Sequence, residues 1–134
     1  GIESYKPADG STMTYWKFCL RVDDTKIEDG SVGLAKALKT YDVASAPRYV
    51  VKPAYKCMVF RDRNTFGDSH YPFNLARPEA VDYNDDNFQG TIKGLHDVLV
   101  LPINECYEEK HIEFLADSIR EAVSLTRRGE GEPR

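Results

Sequence analysis

Asp97-Val98-Leu99-Val100-Leu101 (DVLVL), stopped by Pro102, is a continuous apolar run behind its opening aspartate, in a chain of 134 residues. A strand with one wet face alternates apolar and polar residues, whereas a short β-branched-rich run without alternation reads as a strand buried on both faces. Such a strand must be covered on both sides, so its neighbours in sequence are expected to supply the cover. Downstream, Glu108 and Glu109 open a helix in which Ile112, Leu115, Ile119, Ala122 and Val123 form an apolar stripe. Upstream, Phe88 to Leu95 reads as a short helix punctuated by Gly90 and Gly94 and preceded by Asp82, Asp85 and Asp86. Carboxylates at a helix start are favoured by the macrodipole, which explains the acidic cluster without a metal.

Further out, Thr14 to Val22 alternates, with Trp16, Phe18, Leu20 and Val22 on one face and Tyr15, Lys17, Cys19 and Arg21 on the other. Period two with aromatic residues marks a half-buried strand. Asp29 or Ser31 is expected to cap the next helix, whose stripe is Val32, Ala35, Leu38 and Tyr41, with Lys36 and Lys39 outside. Gly33 weakens the first turn of that helix. Val43 to Val51 returns as an extended segment, with a short strand expected at Val50-Val51. The sum is β-α-(long excursion)-α-β-α, an α/β (α+β) domain with a small sheet of about three strands packed by helices. The expected core is Trp16, Phe18, Leu38, Val98, Leu99, Leu101, Ile112, Leu115 and Ile119. Residues 1–13 read as an extended lead-in, 14–126 as a single small domain and 127–134 as a solvated tail. With no initiator methionine, the chain reads as part of something longer.

Composition excludes several function classes. At 41% hydrophobic, the chain supports one modest core. A net charge of −4 argues against a nucleic-acid polymer as partner, because phosphate binding requires a basic face. Cys19, Cys57 and Cys106 are odd in number and widely spaced, which suits a reducing cytoplasm rather than a disulfide framework or a zinc site. His70, His96 and His111 have no metal-ligand spacing, so no metal is expected. No apolar run is long enough for a bilayer, and a soluble protein with no membrane partner is expected. None of G-x-G-x-x-G, G-K-[ST], G-x-S-x-G or H-E-x-x-H occurs.

The stretch with binding chemistry is Pro47-Arg48-Tyr49-Val50-Val51-Lys52-Pro53-Ala54-Tyr55. Its prolines stiffen a short extended turn. Arg48, Tyr49, Lys52 and Tyr55 are cations and phenols of the kind that hold phosphate and sugar hydroxyls, and they are the candidate substrate-binding residues. The excursion from Lys52 to Asp86 is long for a loop, and its aromatic content argues for an ordered segment packed on a partner surface.

Three pieces, in order, resemble the C-terminal small domain of the DegT/DnrJ/EryC1/StrS aminotransferases, pyridoxal-phosphate enzymes acting on sugars and cyclitols. The first is Tyr15-Trp16-Lys17-Phe18 with Leu34-Ala35-Lys36-Ala37-Leu38. The second is Arg48-Tyr49 through Lys52-Pro53-Ala54-Tyr55, with Lys56-Cys57-Met58-Val59-Phe60-Arg61 behind it and Thr65-Phe66-Gly67 and His70-Tyr71-Pro72-Phe73 further on. The third is Val98-Leu99-Val100-Leu101-Pro102-Ile103-Asn104, leading into Glu108-Glu109 and Ile112. The chain departs from the pattern at Tyr55, where the family often has a histidine, and at Tyr107, where a threonine commonly caps the last helix.

The resemblance implies transfer of an amino group from glutamate or glutamine to a keto-sugar, nucleotide-sugar or cyclitol, in a parent enzyme that is a homodimer. It places the cofactor lysine in an N-terminal large domain absent from this chain. None of Lys6, Lys17, Lys26, Lys36, Lys39, Lys52, Lys56, Lys93 or Lys110 sits in a matching motif, so this chain is expected to supply no catalytic residue and no covalent cofactor site. Its implied part is to close over the substrate. The alternative is a stand-alone small-ligand-binding or regulatory module, which predicts a closed core and a polar outer sheet face.

Overall fold

The computed structural model describes residues 1–129. The chain is mixed α/β, with a four-stranded antiparallel sheet in the order β1-β2-β4-β3. The strands are β1 (Ile2–Ser4), β2 (Lys17–Val22), β3 (Ala46–Pro47) and β4 (Val98–Pro102), and the α-helices are α1 (Gly30–Lys39), α2 (Met58–Arg61), α3 (Gln89–Asp97) and α4 (Glu109–Thr126). The chain divides into two compact units, Gly1–Tyr49 with the residues from His96 onward, and Val50–Leu95. The long excursion makes its own packing and forms the second of these units.

The first unit holds the sheet. DVLVL is its central strand, paired with β2 on one side and β3 on the other, and Leu99, Val100 and Leu101 are all buried. On the inner face Leu20 lies opposite Leu99 and Phe18 opposite Leu101, so the two strands present their apolar residues as direct cross-strand pairs. Helices α1 and α4 pack together over that face. Leu34 and Leu38 of α1 and Ala122 of α4 are fully buried there, with Leu115, Ile119 and Val123 packed against them.

Several expectations are corrected. The fully buried stripe of α1 is Ser31, Leu34 and Leu38 in continuation of buried Ile27; of the expected stripe Leu38 is buried, Ala35 and Tyr41 pack partly buried against the same core, and only Val32 lies outside it. Ser31 is no cap: its hydroxyl donates to the His96 carbonyl at 2.8 Å, which is how a polar residue sits in that stripe. Asp29 is the N-cap residue but makes no side-chain capping bond. Trp16 is 76% exposed because β2 starts after it, at the Lys17–Pro102 pair. Ile112 is 48% exposed, since the buried stripe of α4 begins only at Leu115. The N-cap of α4 is Glu108, which forms a capping box with His111, so the cap does not fall at Tyr107.

The strand expected at Val50-Val51 is not formed, and β3 is Ala46–Pro47 instead. Within the lead-in, Ile2–Ser4 pairs with Leu20–Val22 as an edge strand. Of the tail, Arg127 bridges to Ile27 and the Arg128 amide donates to the Lys26 carbonyl, while residues 130–134 lie outside the described residues.

The second unit has no strand. Short 3-10 turns and α2 bring together a small aromatic cluster in which Tyr55 stacks on Phe88 at 4.1 Å and Phe60 meets Phe73 and Tyr83 edge-on. Val81 is buried, and the Tyr71–Pro72 peptide is cis. Two of the acidic residues ahead of α3 have individual partners beyond the helix dipole. Asp85 accepts from Tyr55 and Lys56, and Asp82 accepts from Asn87.

Candidate functional site

Arg48 ends β3 in a left-handed backbone conformation, φ 49°, which non-glycine residues rarely adopt. Its amide donates to the Val98 carbonyl at 2.9 Å, pinning the turn to the central strand. From there the guanidinium Nη2 reaches His96 Nε2 at 2.7 Å. A guanidinium can only donate, so Nε2 is the acceptor and the imidazole proton sits on Nδ1. That nitrogen faces Asp97 Oδ1 at 3.3 Å. Asp97 is 2% exposed, and its other oxygen lies 3.8 Å from Arg21 Nε. Arg48, His96, Asp97 and Arg21 therefore form a continuous polar line across the junction of α3 and β4.

Tyr49 follows on the same unit. Its hydroxyl accepts from Lys17 Nζ at 2.5 Å, and the ammonium also sits over the Trp16 ring at 3.6 Å and the Tyr49 ring at 4.2 Å. Trp16 and Tyr49 are both exposed, so a cation held between two aromatic faces lies open at the surface.

Lys52 and Tyr55 belong to the other unit. Lys52 is exposed. Tyr55 is buried, its ring is covered by Phe88 and its hydroxyl donates to Asp85 Oδ1 at 2.9 Å, so its ring and hydroxyl are committed to internal packing. Burial and the bond to Asp85 raise the Tyr55 pKa above the ordinary phenol value. The hydrogen bond from Lys56, at 2.6 Å, holds Asp85 below the usual carboxylate range, and the same bond raises Lys56.

Of the four candidate residues, Arg48 and Tyr49 are adjacent on the sheet unit. The residues missed are His96 and Asp97. His96 reads as a lone structural histidine in the sequence, and Asp97 as the first residue of a strand. The only signal was their adjacency at a helix–strand junction, which places two polar side chains beside a buried strand end. No group of three or more His, Cys, Asp or Glu among the described residues is arranged to hold a metal. No helix among them is long and apolar enough to cross a membrane. Compared with known proteins, the chain matches no family model and no curated protein sequence.

Proposed function

We propose that this chain is the substrate-closing small domain of a pyridoxal-phosphate aminotransferase of the DegT/DnrJ/EryC1/StrS type, acting on a keto-sugar or cyclitol in the reducing cytoplasm. The ordered motifs from Tyr15 to Ile112 are the basis of the reading. The observation that carries it is the open Trp16–Lys17–Tyr49 cluster beside Arg48: two large aromatic rings and a guanidinium presented at a surface suit a cleft completed by another domain. Arg48 and Tyr49 contact the sugar or its anionic group. Tyr55 positions its own loop from within.

The cofactor itself does not fit this chain. A lysine that attacks a carbonyl must be neutral and desolvated. Lys26, Lys36, Lys56 and Lys110 are ion-paired at the surface, Lys17 is shared between two rings, and Lys6, Lys39, Lys52 and Lys93 are exposed. Lys56 is pushed in the wrong direction, since its bond to Asp85 favours the charged form. The reaction's covalent chemistry is therefore assigned to a large domain, and the active parent is a homodimer in this reading.

A second reading, a stand-alone ligand-binding module, draws support from the outer face of the sheet, where Cys19, Arg21 and Glu3 are exposed. One experiment separates the two. Mixed with pyridoxal phosphate, this chain is expected to give no visible band from a cofactor–lysine adduct. A polypeptide carrying both this chain and a lysine-bearing large domain is expected to aminate a keto-sugar nucleotide, with Arg48→Ala raising KM about tenfold or more. An adduct band in this chain that disappears on replacing one of its lysines would defeat the proposal, as would a joined polypeptide inactive on every keto-sugar and cyclitol offered.

A further inference from the structure

A pocket of about 440 Å³ opens on the sheet unit between the start of α1 and the junction of α3 with β4. Arg48 and His96 line it on one side, and Arg128, Asp24 and Asp29 also contribute to its wall. Neither guanidinium has a carboxylate partner among the described residues. Arg48 spends one donor on His96, and Arg128 has its Nε buried with no hydrogen-bond partner there. A buried N–H on a charged group that finds no acceptor is costly, and native structures rarely tolerate it without a ligand or an ion. The two carboxylates of the wall do not cancel these charges in place: Asp29 is drawn 3.4 Å from Lys36 instead, while Asp24 makes no bond to either arginine.

We propose that this pocket binds a small organic anion that carries its own O–H or N–H donors. Its carboxylate or phosphate group takes Nη donors of Arg48 and Arg128 in charge-assisted hydrogen bonds. Its hydroxyl or ammonium group donates to Asp24 and Asp29. Asp24 and Asp29 oppose the two arginines, Asp29 less so because Lys36 pairs with it, so an anion that also brings donors is favoured over one that does not. A ligand offering both kinds of group satisfies every side. His96 holds Arg48 in place, since its Nε2 accepts from the guanidinium while its Nδ1 is turned to Asp97. The site shares Arg48 with the function proposed above, but it needs neither a cofactor nor a large domain, so either idea can fail without the other.

The test is calorimetric titration of the chain with succinate, L-malate and L-aspartate, which share one skeleton and differ in having no donor, a hydroxyl or an ammonium, and with glycerol 3-phosphate. At least one of malate, aspartate and glycerol 3-phosphate is expected to saturate a single site more tightly than succinate. Which of them does so separates a carboxylate ligand from a phosphate one. Arg48→Gln and Arg128→Gln are each expected to weaken that binding about tenfold or more, whereas Arg61→Gln, whose side chain pairs with Asp62 in the other unit, leaves it unchanged. Arg128→Gln changes a residue beyond the last helix and keeps the test open should Arg48→Gln fail to fold. The proposal is overturned if none of the four probes binds saturably, if succinate binds as tightly as the best of the others, or if both glutamine variants bind like the unaltered chain.

Discussion

Replacing Gly33 by alanine reverses an ordinary rule. In an exposed helix, glycine to alanine stabilises by about 1 kcal/mol, because glycine loses more backbone entropy on folding. At Gly33 the added Cβ would lie 1.9 Å from the Glu28 carbonyl oxygen and 3.0 Å from Asp29 Cβ, and real Cβ contacts below 3.0 Å essentially never occur. The oxygen must retreat by about 1.1 Å, the step from 1.9 to 3.0 Å. It belongs to a turn with little room to give. Asp29 and Gly30 both hold φ 56°, and the Glu28 amide donates to the Thr126 carbonyl at 2.8 Å, tying the turn to the end of α4. Overpacking a filled site costs about 1–3 kcal/mol, occasionally more. Straining the Glu28–Thr126 bond adds about 1 kcal/mol, which the gain in helix propensity offsets. The net loss is about 1–3 kcal/mol, which for a chain of this size lowers Tm by roughly 4–11 °C. Thermal unfolding followed by far-UV circular dichroism reads this directly. Gly90→Ala and Gly94→Ala in α3 are the internal controls, since a Cβ at either meets nothing within 4 Å, and both are expected to hold or raise Tm. A Gly33→Ala protein as stable as the parent, or controls that fall equally far, would refute the argument from close approach.

Leu34→Ala, which empties a fully buried site between α1 and the sheet, is expected to cost about 2–5 kcal/mol in chemical denaturation, whereas Ile112→Ala on the exposed turn of α4 stays within about 0.5 kcal/mol. Asp23 accepts from the hydroxyl and the amide of Thr25, and those bonds lower its pKa to about 2. Its contribution to stability is therefore complete above the ordinary carboxylate value and is lost as pH falls toward 2; Thr25→Val should raise the Asp23 pKa in an NMR titration. In the second unit Tyr55 and Lys56 are raised and Asp85 is lowered, so their mutual stabilisation holds between the carboxylate and phenol ranges. It fades as pH rises through the folded-state values of Tyr55 and Lys56, and equally as pH falls through that of Asp85. An ultraviolet titration should show one late tyrosine that moves earlier in Asp85→Asn.

The central strand was legible because its chemistry is one-dimensional: four apolar residues bounded by Asp97 and Pro102 leave little choice but a buried strand. The two covering helices were legible for the same reason, at period 3.6. Leu34 was harder to see because Ser31, one turn before it, is polar; only the bond from its hydroxyl to the His96 carbonyl, formed across 65 positions, allows that stripe to be buried. Trp16 continues the alternation of β2 on paper, but burial requires a partner strand and a cover, and pairing stops at Lys17. The candidate turn was recognisable at Arg48 and Tyr49 from residue type. Arg128 was hidden in a run that composition reads as solvent-exposed, and His96 and Asp97 were hidden at an element boundary.

The sheet's two margins bear on how copies of this protein meet. One margin is three residues long and carries Glu3; the other is two residues long and ends in Pro47, which has no amide hydrogen to offer. A short edge bearing a charge and an edge ending in proline are both poor templates for a further strand. Side chains on helix or loop surfaces are the better-suited route by which copies of this unit would meet.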